Sequence, residues 1–452
     1  MKIIKYITFF TGILCCLNAC SDYVEIEPVG NDRVLKYTSD YRGVANNYMP
    51  TENVGGMYLL ANDDTEITGD FQSQIDDIWT NSYTWQPAIY NSGQGDSDWN
   101  SLYLTVYYSN VIIDGVLESE NGSESEKEEI IAEAYVNRAY SYLQLVNIYA
   151  PHYDGANTAN EKAVPLLLTP DLFSSLERST VNEVYEQIIS DLENALAYNI
   201  QNLPEFNVLP SKAATYALLA RTYLYMGNYE LALEHAENAL NLQNGLIDIA
   251  AIRYNPYGYP ALLDNPEIIF SKKIQFSFKG ASLSQSLIDS FDAVDARYDV
   301  YTAPGFNFWP SFEGRGFGLD SYSYTNGINV GVSVPEMYLI AAESQVRLNN
   351  VELGLEQLNT LRAKRFDDGS DYEATATTKE DALDLVIAER QKEFIGRGFR
   401  WFDQKRLNLE DRYKETKTRE FLGETFTLEP NSDGYVFPIF QNYIDLNPEL
   451  DN

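Results

Sequence analysis

The chain of 452 residues carries 32 basic and 67 acidic side chains, which give it a formal net charge of -35. A surface this acidic repels phosphate backbones and anionic headgroups, so nucleic acid is excluded from the expected partners. All three cysteines lie within the first 20 residues, which excludes disulfides, thiol catalysis and cysteine metal sites from the rest of the chain.

The first 20 residues have the pattern of a bacterial secretion signal. A largely apolar run from Tyr6 to Leu17 follows two lysines and is too short to span a bilayer as a helix. The signal ends in LNAC, which resembles a bacterial lipobox, where cleavage leaves the cysteine, here Cys20, as the lipid-bearing first residue. We therefore predict a signal peptide over residues 1–19, a lipidated tether over residues 20–32 and membrane attachment through acyl chains alone. An ordinary signal peptide cleaved nearby is the alternative.

The N-terminal half is predicted to contain helices separated by one long loop region. Helical periodicity runs unevenly from Val34 to Leu60. Residues 71–98 are rich in Trp, Tyr, Asn, Gly and Asp without a sustained period, and they are predicted to form a long, ordered, functional loop. A helix is predicted from Trp99 to Glu118. The charged NGSESEKEE sequence then caps a further helix, from about Glu126 to Tyr149.

The sequence SKAATYALLARTYLYMGNYELALEHAENALNLQN, from Ser211 to Asn244, has the pattern of a tetratricopeptide unit. Its small residues allow two antiparallel helices to approach closely, and Gly227-Asn228 makes the turn between them. The turn recurs as NNVELG in a second unit, over about residues 335–366. Two weaker pairs are residues 126–149 with 180–198, and residues 380–396 with the segment after Phe399. About four helix pairs suffice for a stable superhelix.

Residues 247–332 interrupt the helical period with Gly, Pro and aromatic residues, as in RYDVYTAPGFNFWPSFEGRGFGLD. This composition predicts an insertion of loops and short strands on one face of the superhelix. The whole pattern predicts a mainly α fold, a tetratricopeptide-type helical-repeat superhelix with an irregular, loop-rich ligand-binding region. A single body over residues 33–452 would comprise an N-terminal part (33–246), the insertion (247–332) and a C-terminal part (333–452).

Few residues are suited to catalysis. The chain has two histidines, His152 in a loop and His235 on a repeat helix, and both are predicted to serve packing or surface roles. No GxSxG, HExxH or Walker sequence occurs, and the glycine-rich GRGFGLD and GRGFR lack the Lys-Ser/Thr pair of a phosphate loop. A glycosidase needs only two carboxylates, and 67 acidic residues leave that possibility open.

One short sequence has a spacing related to calcium binding. Asp96, Asp98 and Asn100 alternate as at the start of an EF-hand loop, but the glycine and the closing glutamate of that loop are missing. A turn with helix-capping aspartates is the favoured interpretation, and calcium near Asp96 and Asp98 is the alternative. No other cofactor is expected.

Two aromatic clusters suit the binding of a sugar or a peptide. Flat rings stack on apolar sugar faces or peptide side chains, while Asn and Arg hold hydroxyls or carboxylates. One cluster lies in the loop before Trp99 and the other in the insertion. The predicted ligand contacts are Trp79, Asn81, Tyr83, Trp85, Arg297, Tyr301 and Trp309.

Four sequences resemble those of the SusD/RagB family of outer-membrane lipoproteins, and the resemblance covers nearly the whole chain. They are the LNAC that ends at Cys20, WNSLYLTVYYSNVII at residues 99–113, ERQKEFIGRGFRWFDQKRL at residues 389–407 and YVFPIFQNYIDLNPEL at residues 435–450. The last two are the most specific, although the usual form has proline where this chain has Phe440. The acidic SDYVEIEP after Cys20 also resembles the family's signal for export to the cell surface.

The resemblance implies four tetratricopeptide units and a ligand site in the irregular region, at the two aromatic clusters. It implies a non-catalytic, lipid-anchored protein on the exterior of the outer membrane. Such a protein binds oligosaccharides and acts as a lid on a SusC-like TonB-dependent transporter, commonly in a dimeric arrangement of such pairs. Oligopeptides, as in the RagB branch, are the alternative ligand. Two further functions stay open: a surface glycoside hydrolase, and a scaffold that binds only the transporter.

The basic stretch at residues 389–407 is predicted to belong to the scaffold. At helical spacing, Glu393 can pair with Arg397, and Asp403 with Arg406. The GRG sequence within the stretch marks the turn between two helices. Its arginines are expected to meet acidic neighbours, which leaves ligand binding as a minor alternative for this stretch.

Overall fold

The computed structural model describes residues 35–48, 56–91, 93–274, 281–309, 311–319 and 328–451. Helix accounts for 53% of the structure, which confirms the predicted mainly α fold. The predicted signal peptide, the lipidation site at Cys20 and the tether lie outside the described residues.

The α-helices described over their full length are α1 (Thr38–Tyr48), α2 (Tyr58–Ala61), α3 (Asp77–Tyr83), α4 (Ser97–Gly115), α5 (Glu124–Tyr149), α6 (Val181–Ala197), α7 (Lys212–Tyr225), α8 (Tyr229–Leu242), α9 (Gln285–Asp289), α10 (Arg297–Val300), α11 (Val334–Arg347), α12 (Val351–Arg362), α13 (Lys379–Glu393), α14 (Phe399–Leu407) and α15 (Gln441–Leu446). The strands are β1 (Thr65–Glu66), β2 (Lys273–Ile274), β3 (Ser282–Leu283), β4 (Thr302–Pro304), β5 (Arg315–Phe317), β6 (Ile328–Asn329), β7 (Lys417–Phe421) and β8 (Glu424–Leu428).

Three helix pairs form the body of the superhelix. Helix α5 packs on α6, α7 on α8 and α11 on α12, and α8 also packs on α11, which joins the second pair to the third. In the second pair, Gly227 turns the chain with a φ of 71°, and Ala220, Ala232 and Ala236 are fully buried, as close helix packing requires. Both clear tetratricopeptide units and the first of the weaker pairs are therefore present.

The fourth predicted pair is arranged differently. Helix α13 packs on α11 and α12, whereas α14 contacts α2. Gly396 and Gly398, with φ values of 72° and 79°, form the predicted turn between α13 and α14. This left-handed backbone, which glycine adopts readily, directs α14 away from a lengthwise pairing with α13.

The predicted loop at residues 71–98 is more helical than expected. Helix α3 begins after Asp76, whose carboxylate accepts a hydrogen bond from the backbone N–H of Trp79 at 2.9 Å. A helix of seven residues makes only two turns, too few for a hydrophobic period to be recognised. The prediction of an aperiodic loop was therefore wrong for this segment, while the remainder of the region is largely irregular.

One short antiparallel strand pair connects the insertion to the rest of the body: β3 pairs with β1, which aligns Leu283 with Thr65. Strands β2 and β6, which both belong to the insertion, pair with each other. Strands β4 and β5 form a hairpin within the insertion. One hydrophobic cluster contains buried residues from Tyr58 to Phe437, including Tyr301 of the insertion. The loop-rich insertion is present as expected, whereas its boundaries at residues 246 and 332 stay a prediction.

Charged side chains of the basic stretch are buried. Arg406 pairs with Glu343 at 2.5 Å and, as predicted, with Asp403 at 2.7 Å. Arg390, on α13, also lies 3.2 Å from Asp403 of α14. These ion pairs hold α13 and α14 against α11, which carries Glu343, and they support a scaffold role for the stretch.

Glu393 forms ion pairs with other residues than the predicted partner, Arg397. Instead of a local pair with Arg397, its carboxylate lies 2.9 Å from Arg365 and 3.0 Å from Arg297. All three side chains are fully buried. Glu393 therefore connects α13 to the segment after α12 and, through Arg297, to the insertion.

Gly398→Ala is expected to lower the free energy of unfolding by about 2–4 kcal/mol, from left-handed backbone strain and overpacking together. A Cβ at Gly398 would lie 2.3 Å from Cε2 of the Tyr58 ring. Gly369→Ala is the matched control, because Gly369 has a similar φ of 75° with nothing within 4 Å of its Cβ position. Urea unfolding of both variants measures the difference, and equal losses would contradict a tight contact between Gly398 and Tyr58.

Candidate functional site

A cleft beside the predicted loop cluster has a volume of about 540 Å³. We call it the Trp85 cleft. It is formed by the segment Trp85 to Pro87, by residues 160–162 together with Arg178, and by the segment Asp433 to Pro438. The volume lies within the usual range of small-molecule sites, and three distant parts of the sequence contribute to its wall.

Trp85 forms part of the wall in a strained backbone conformation. It follows α3 with a φ of 55°, and its indole N–H donates a hydrogen bond to the carbonyl of Ala61 at 2.8 Å. A non-glycine residue in the left-handed region costs about 1–3 kcal/mol and persists only where its surroundings hold it. The cleft therefore contains a half-buried ring whose orientation is imposed by the fold.

Both signs of charge line the Trp85 cleft. Arg178 donates from Nε to the carbonyl of Ala163 at 2.8 Å and from Nη2 to that of Lys162 at 3.1 Å, and burial lowers its pKa. The Lys162 ammonium donates to the carbonyl of Arg178 at 3.2 Å. Glu161 and Asp433 are exposed acceptors. Because a hydroxyl both donates and accepts hydrogen bonds, a polyhydroxylated ligand can use the cations and the carboxylates alike.

Two smaller cavities adjoin the cleft. One, of about 280 Å³, shares Ile89, Arg178 and Phe437 with it. The other, of about 330 Å³, shares Pro151 and Asp433 with it. The shared lining residues show that the three cavities lie next to one another.

Neither histidine is placed to act as a base. Burial, with a contribution from the charge of Lys405, lowers the pKa of His152 to about 3, so its ring is neutral at physiological pH. His235 stacks with Tyr216 and Tyr223, at ring-centroid distances of 6.0 and 5.5 Å. Both residues have the packing roles that the sequence predicted.

The predicted residues of the first cluster lie together on and after α3, but only Trp85 lines the cleft. Trp79 and Asn81 are half-buried, and the Asn81 side-chain amide donates to the carbonyl of Ile89 at 3.1 Å. Tyr83 is 2% exposed, and its hydroxyl accepts from the backbone N–H of Ile67 at 3.1 Å. Tyr83 therefore supports the segment from inside.

The second predicted cluster divides into buried and exposed members. Arg297 is fully buried and bonds to Asp295, Glu389 and Glu393. Tyr301 is 1% exposed and donates to Glu393 at 3.2 Å. A ligand cannot reach either side chain in this conformation, so both are left out of the candidate site.

Trp309 is the exposed member of the second cluster. It is 86% exposed, in the loop between β4 and β5, and it is not among the residues that line the Trp85 cleft. The structure therefore does not bring Trp309 and Trp85 into one cavity wall.

Asp96 and Asp98 are committed to protein donors. Asp96 caps α4, accepting from the N–H of Trp99 at 3.1 Å and from the hydroxyl of Tyr149 at 2.7 Å. The two oxygens of Asp98 accept from the N–H of Gly56 at 3.2 and 3.1 Å. Within the described ranges, no group of three or more His, Asp or Glu side chains is arranged to hold a metal ion. Asp96 therefore caps a helix as interpreted from the sequence, whereas the carboxylate of Asp98 binds the backbone of a distant segment instead of capping.

Except for Trp85, sequence reasoning missed the residues that line the cleft, among them Lys162, Arg178, Asp433, Phe437 and Pro438. Phe437 and Pro438 belong to the YVFPIF sequence, which served to recognise the family and could have pointed to this segment. Lys162 and Arg178 carried no signal, because single basic residues in so acidic a chain resemble ordinary ion-pair partners.

None of the helices in the part of the chain that the structure describes combines the length and the apolar composition of a membrane span. Two family models match the sequence. The model described as "Starch-binding associating with outer membrane" matches residues 29–224, and the model of the SusD family matches residues 334–452.

Relatives and a solved structure agree with these matches. One SusD-like protein of Formosa agariphila is 29% identical over 251 residues, which cover 52% of this chain and 46% of that protein. Another from the same organism is 21% identical over 98% of this chain and 97% of its own. The crystal structure of a SusD-like carbohydrate binding protein from Bacteroides vulgatus, 21% identical, superposes with a TM-score of 0.69 over 92% of this chain and 98% of that one. The chain is thus a SusD-like member of the SusD/RagB family of non-catalytic binding proteins, and the model that matches its N-terminal part describes sugar binding in association with the outer membrane.

Proposed function

We propose that this protein captures oligosaccharides in the Trp85 cleft and delivers them to a SusC-like TonB-dependent transporter, on which it acts as a lid. The observation that carries the proposal is the cleft itself, in which an indole held by the fold stands beside both cations and carboxylates. Rings bind the apolar faces of sugars, and the polar groups match their hydroxyls. The carbohydrate-binding name of the Bacteroides vulgatus structure supports this ligand class.

We further propose that acyl chains such as palmitate at Cys20 anchor the protein to the outer membrane, facing the cell exterior. The LNAC sequence supports this anchor, and the outer-membrane association of the family agrees with it. A net charge of -35 favours a body that stays in water and reaches the membrane only through its lipid and its transporter. A dimeric arrangement of transporter pairs is part of the same proposal.

Titration calorimetry against soluble starch and a panel of plant, algal and host oligosaccharides tests the ligand class. A parallel pull-down from a peptide mixture, analysed by mass spectrometry, tests the oligopeptide alternative. Saturable binding of a glycan without peptide enrichment supports the proposal. Peptide capture without glycan binding would assign the protein to the RagB-like alternative, and a stable transporter complex without either ligand would identify a scaffold.

Trp85→Ala is expected to weaken glycan binding about tenfold or more, because it removes the ring from the cleft wall. Calorimetry with the glycan that binds the native protein measures the loss. Tyr254→Ala is the matched control, since Tyr254 is an exposed aromatic residue, 88% accessible, outside the cleft wall. Equal affinity of the Trp85 variant and the native protein would remove the cleft from the proposed function. Trp309→Ala in the same assay tests whether the ligand also reaches the insertion.

A further inference from the structure

Arg419, on strand β7, lies between two aromatic rings of the α3 segment. Its guanidinium carbon lies 4.0 Å from the centroid of the Tyr83 ring and 4.5 Å from that of the Trp85 ring. Both are distances at which a cation is attracted to a ring face. Arg419 is therefore in direct contact with the ring that lines the Trp85 cleft.

The polar bonds of Arg419 are made to backbone carbonyls. Nη1 donates to the carbonyls of Leu60, at 2.9 Å, and of Tyr83, and Nη2 donates to that of Asn62. Leu60 and Asn62 flank Ala61, the residue that accepts from the Trp85 indole, and Tyr83 is the last residue of α3. One planar group thus joins the end of α2 to the end of α3.

Arg419 is an unusual arginine in this protein. It is 8% exposed, and no described carboxylate lies within ion-pair distance of it, whereas most of the other described arginines have such a partner. Burial lowers its pKa to about 10, a value at which it still carries its charge at physiological pH. Asp63 and Glu66 favour its charged form, but only from beyond ion-pair distance, and a buried cation without a close counter-charge is unfavourable for stability alone. Its contacts with Trp85 and the neighbouring carbonyls offer a functional reason for its presence.

We propose that Arg419 is the positioning residue of the Trp85 cleft, holding the indole in the orientation that presents it to a ligand. The guanidinium covers one face of the ring, and the hydrogen bond from the indole N–H to Ala61 fixes its edge. Both contacts help to hold the left-handed backbone at Trp85, which is strained and persists only where its surroundings stabilise it. The ring is then ordered before a ligand arrives, which lowers the entropic cost of binding.

The hairpin that carries Arg419 is itself attached to the N-terminal part. The Gln72 side chain donates to the carbonyl of Glu420 at 3.2 Å and accepts from the N–H of Leu422 at 2.9 Å. Phe421, on the same strand, packs on Tyr83 with a ring-centroid distance of 5.8 Å. The C-terminal part of the chain therefore sets the geometry of a ring that the N-terminal part supplies.

The inference rests on the proposed function only in taking the Trp85 cleft as the ligand site. The orientation of the Trp85 ring can be measured without a ligand, so the test begins there. Labelling with 5-fluorotryptophan gives one ¹⁹F resonance for each of the five tryptophans, and Trp85→Phe identifies that of Trp85. Arg419→Gln and Arg419→Lys are expected to shift and broaden the Trp85 resonance. Lysine keeps the charge but lacks the planar group that bonds three carbonyls, so it is not expected to restore the native spectrum. Arg400→Gln is the matched control, because Arg400 pairs with Asp63 at 2.6 Å in the same region and Trp85 is not among its contacts.

The second measurement is the affinity for maltohexaose by calorimetry. If the native protein binds it, the Arg419 variants are expected to bind about tenfold more weakly than the Arg400 variant. An unchanged Trp85 resonance in both Arg419 variants overturns the inference, whatever the affinities. A changed resonance in a protein that binds no glycan supports the positioning role and contradicts the proposed function instead. If Arg419→Gln fails to fold, Gln72→Ala replaces it, because this change only loosens the hairpin. Gln72→Ala is expected to broaden the Trp85 resonance less than the Arg419 variants do. An unaltered Trp85 resonance in both Gln72→Ala and Arg419→Lys would then overturn the inference.

Discussion

Glu393→Gln is expected to lower the free energy of unfolding by about 3–5 kcal/mol, the usual cost of removing one partner from a buried ion pair. The Glu393 carboxylate accepts from Arg365 at 2.9 Å, through both Nε and Nη2, and from Arg297 at 3.0 Å. The amide of glutamine keeps the shape of the side chain but loses its charge. The fully buried guanidinium groups of Arg297 and Arg365 would then have one carboxylate fewer to balance their charge, in a protein interior that stabilises charge poorly.

Asp384→Asn is the control for this prediction. Asp384 also pairs with an arginine, Arg412, but both side chains are nearly half exposed, at 44% and 46%. Solvent screens such a pair, so its loss is expected to change stability by about 0–1 kcal/mol. Urea unfolding at neutral pH measures both variants. A similar loss in the two proteins would show that burial of Glu393 adds nothing to its contribution.

Acidification is expected to remove on the order of 3 kcal/mol of stability through Glu389 alone, between about pH 4.5 and pH 2. Burial by itself would raise the pKa of this carboxyl, but Arg297, Lys392 and Arg362 lower it to about 2. Because the folded pKa lies below the unfolded value, the contribution is fully present above pH 4.5. It is lost as the pH falls through the folded pKa. In unfolding experiments across this range, Glu389→Gln is therefore expected to differ most from the native protein at pH 5 and least at pH 2.

Glu133 supplies a matched control of opposite sign. It is a buried glutamate that pairs with an arginine, Arg42, at 2.7 Å, yet burial dominates and raises its pKa to about 7. Its folded pKa lies above the unfolded value, so stability falls as the pH rises from about 4.5 to 7. Glu133→Gln is expected to remove this loss and to leave the acid range unchanged. If Glu133→Gln and Glu389→Gln altered the stability of the protein over the same pH range, the opposite pKa shifts assigned to the two carboxyl groups would be wrong.

Local patterns predicted the repeats because each depends on residues close in sequence. The tetratricopeptide units at residues 211–244 and 335–366 combine a turn with small residues at helical spacing, and both are present. Helix α3 was missed because its signal is a single cap at Asp76 followed by only two turns. The fourth pair was misjudged because the direction of α14 depends on its contact with α2, which lies over 300 residues earlier in the chain.

The candidate site was predictable only in part. Trp85 was found because aromatic residues cluster in an aperiodic segment, a local signal for a binding loop. Arg297 and Tyr301 carried the same signal, and the structure buries both in an ion-pair network. Chemical type does not reveal exposure, since an arginine serves equally well as a ligand contact or as the centre of buried carboxylates. Only the positions of Glu389 and Glu393 decide between these roles.

By itself, the sequence determined the helical class, the repeats, the family and the scaffold role of the basic stretch. Each of these follows from periodicity, turn residues or short motifs, which act over a few turns of chain. Tertiary structure alone decided which aromatic residue lines a cleft, which arginines are buried and that Arg419 contacts Trp85. The burial and the contacts of a side chain depend on which distant segments of the chain pack against it and exclude water. No local sequence pattern specifies that packing.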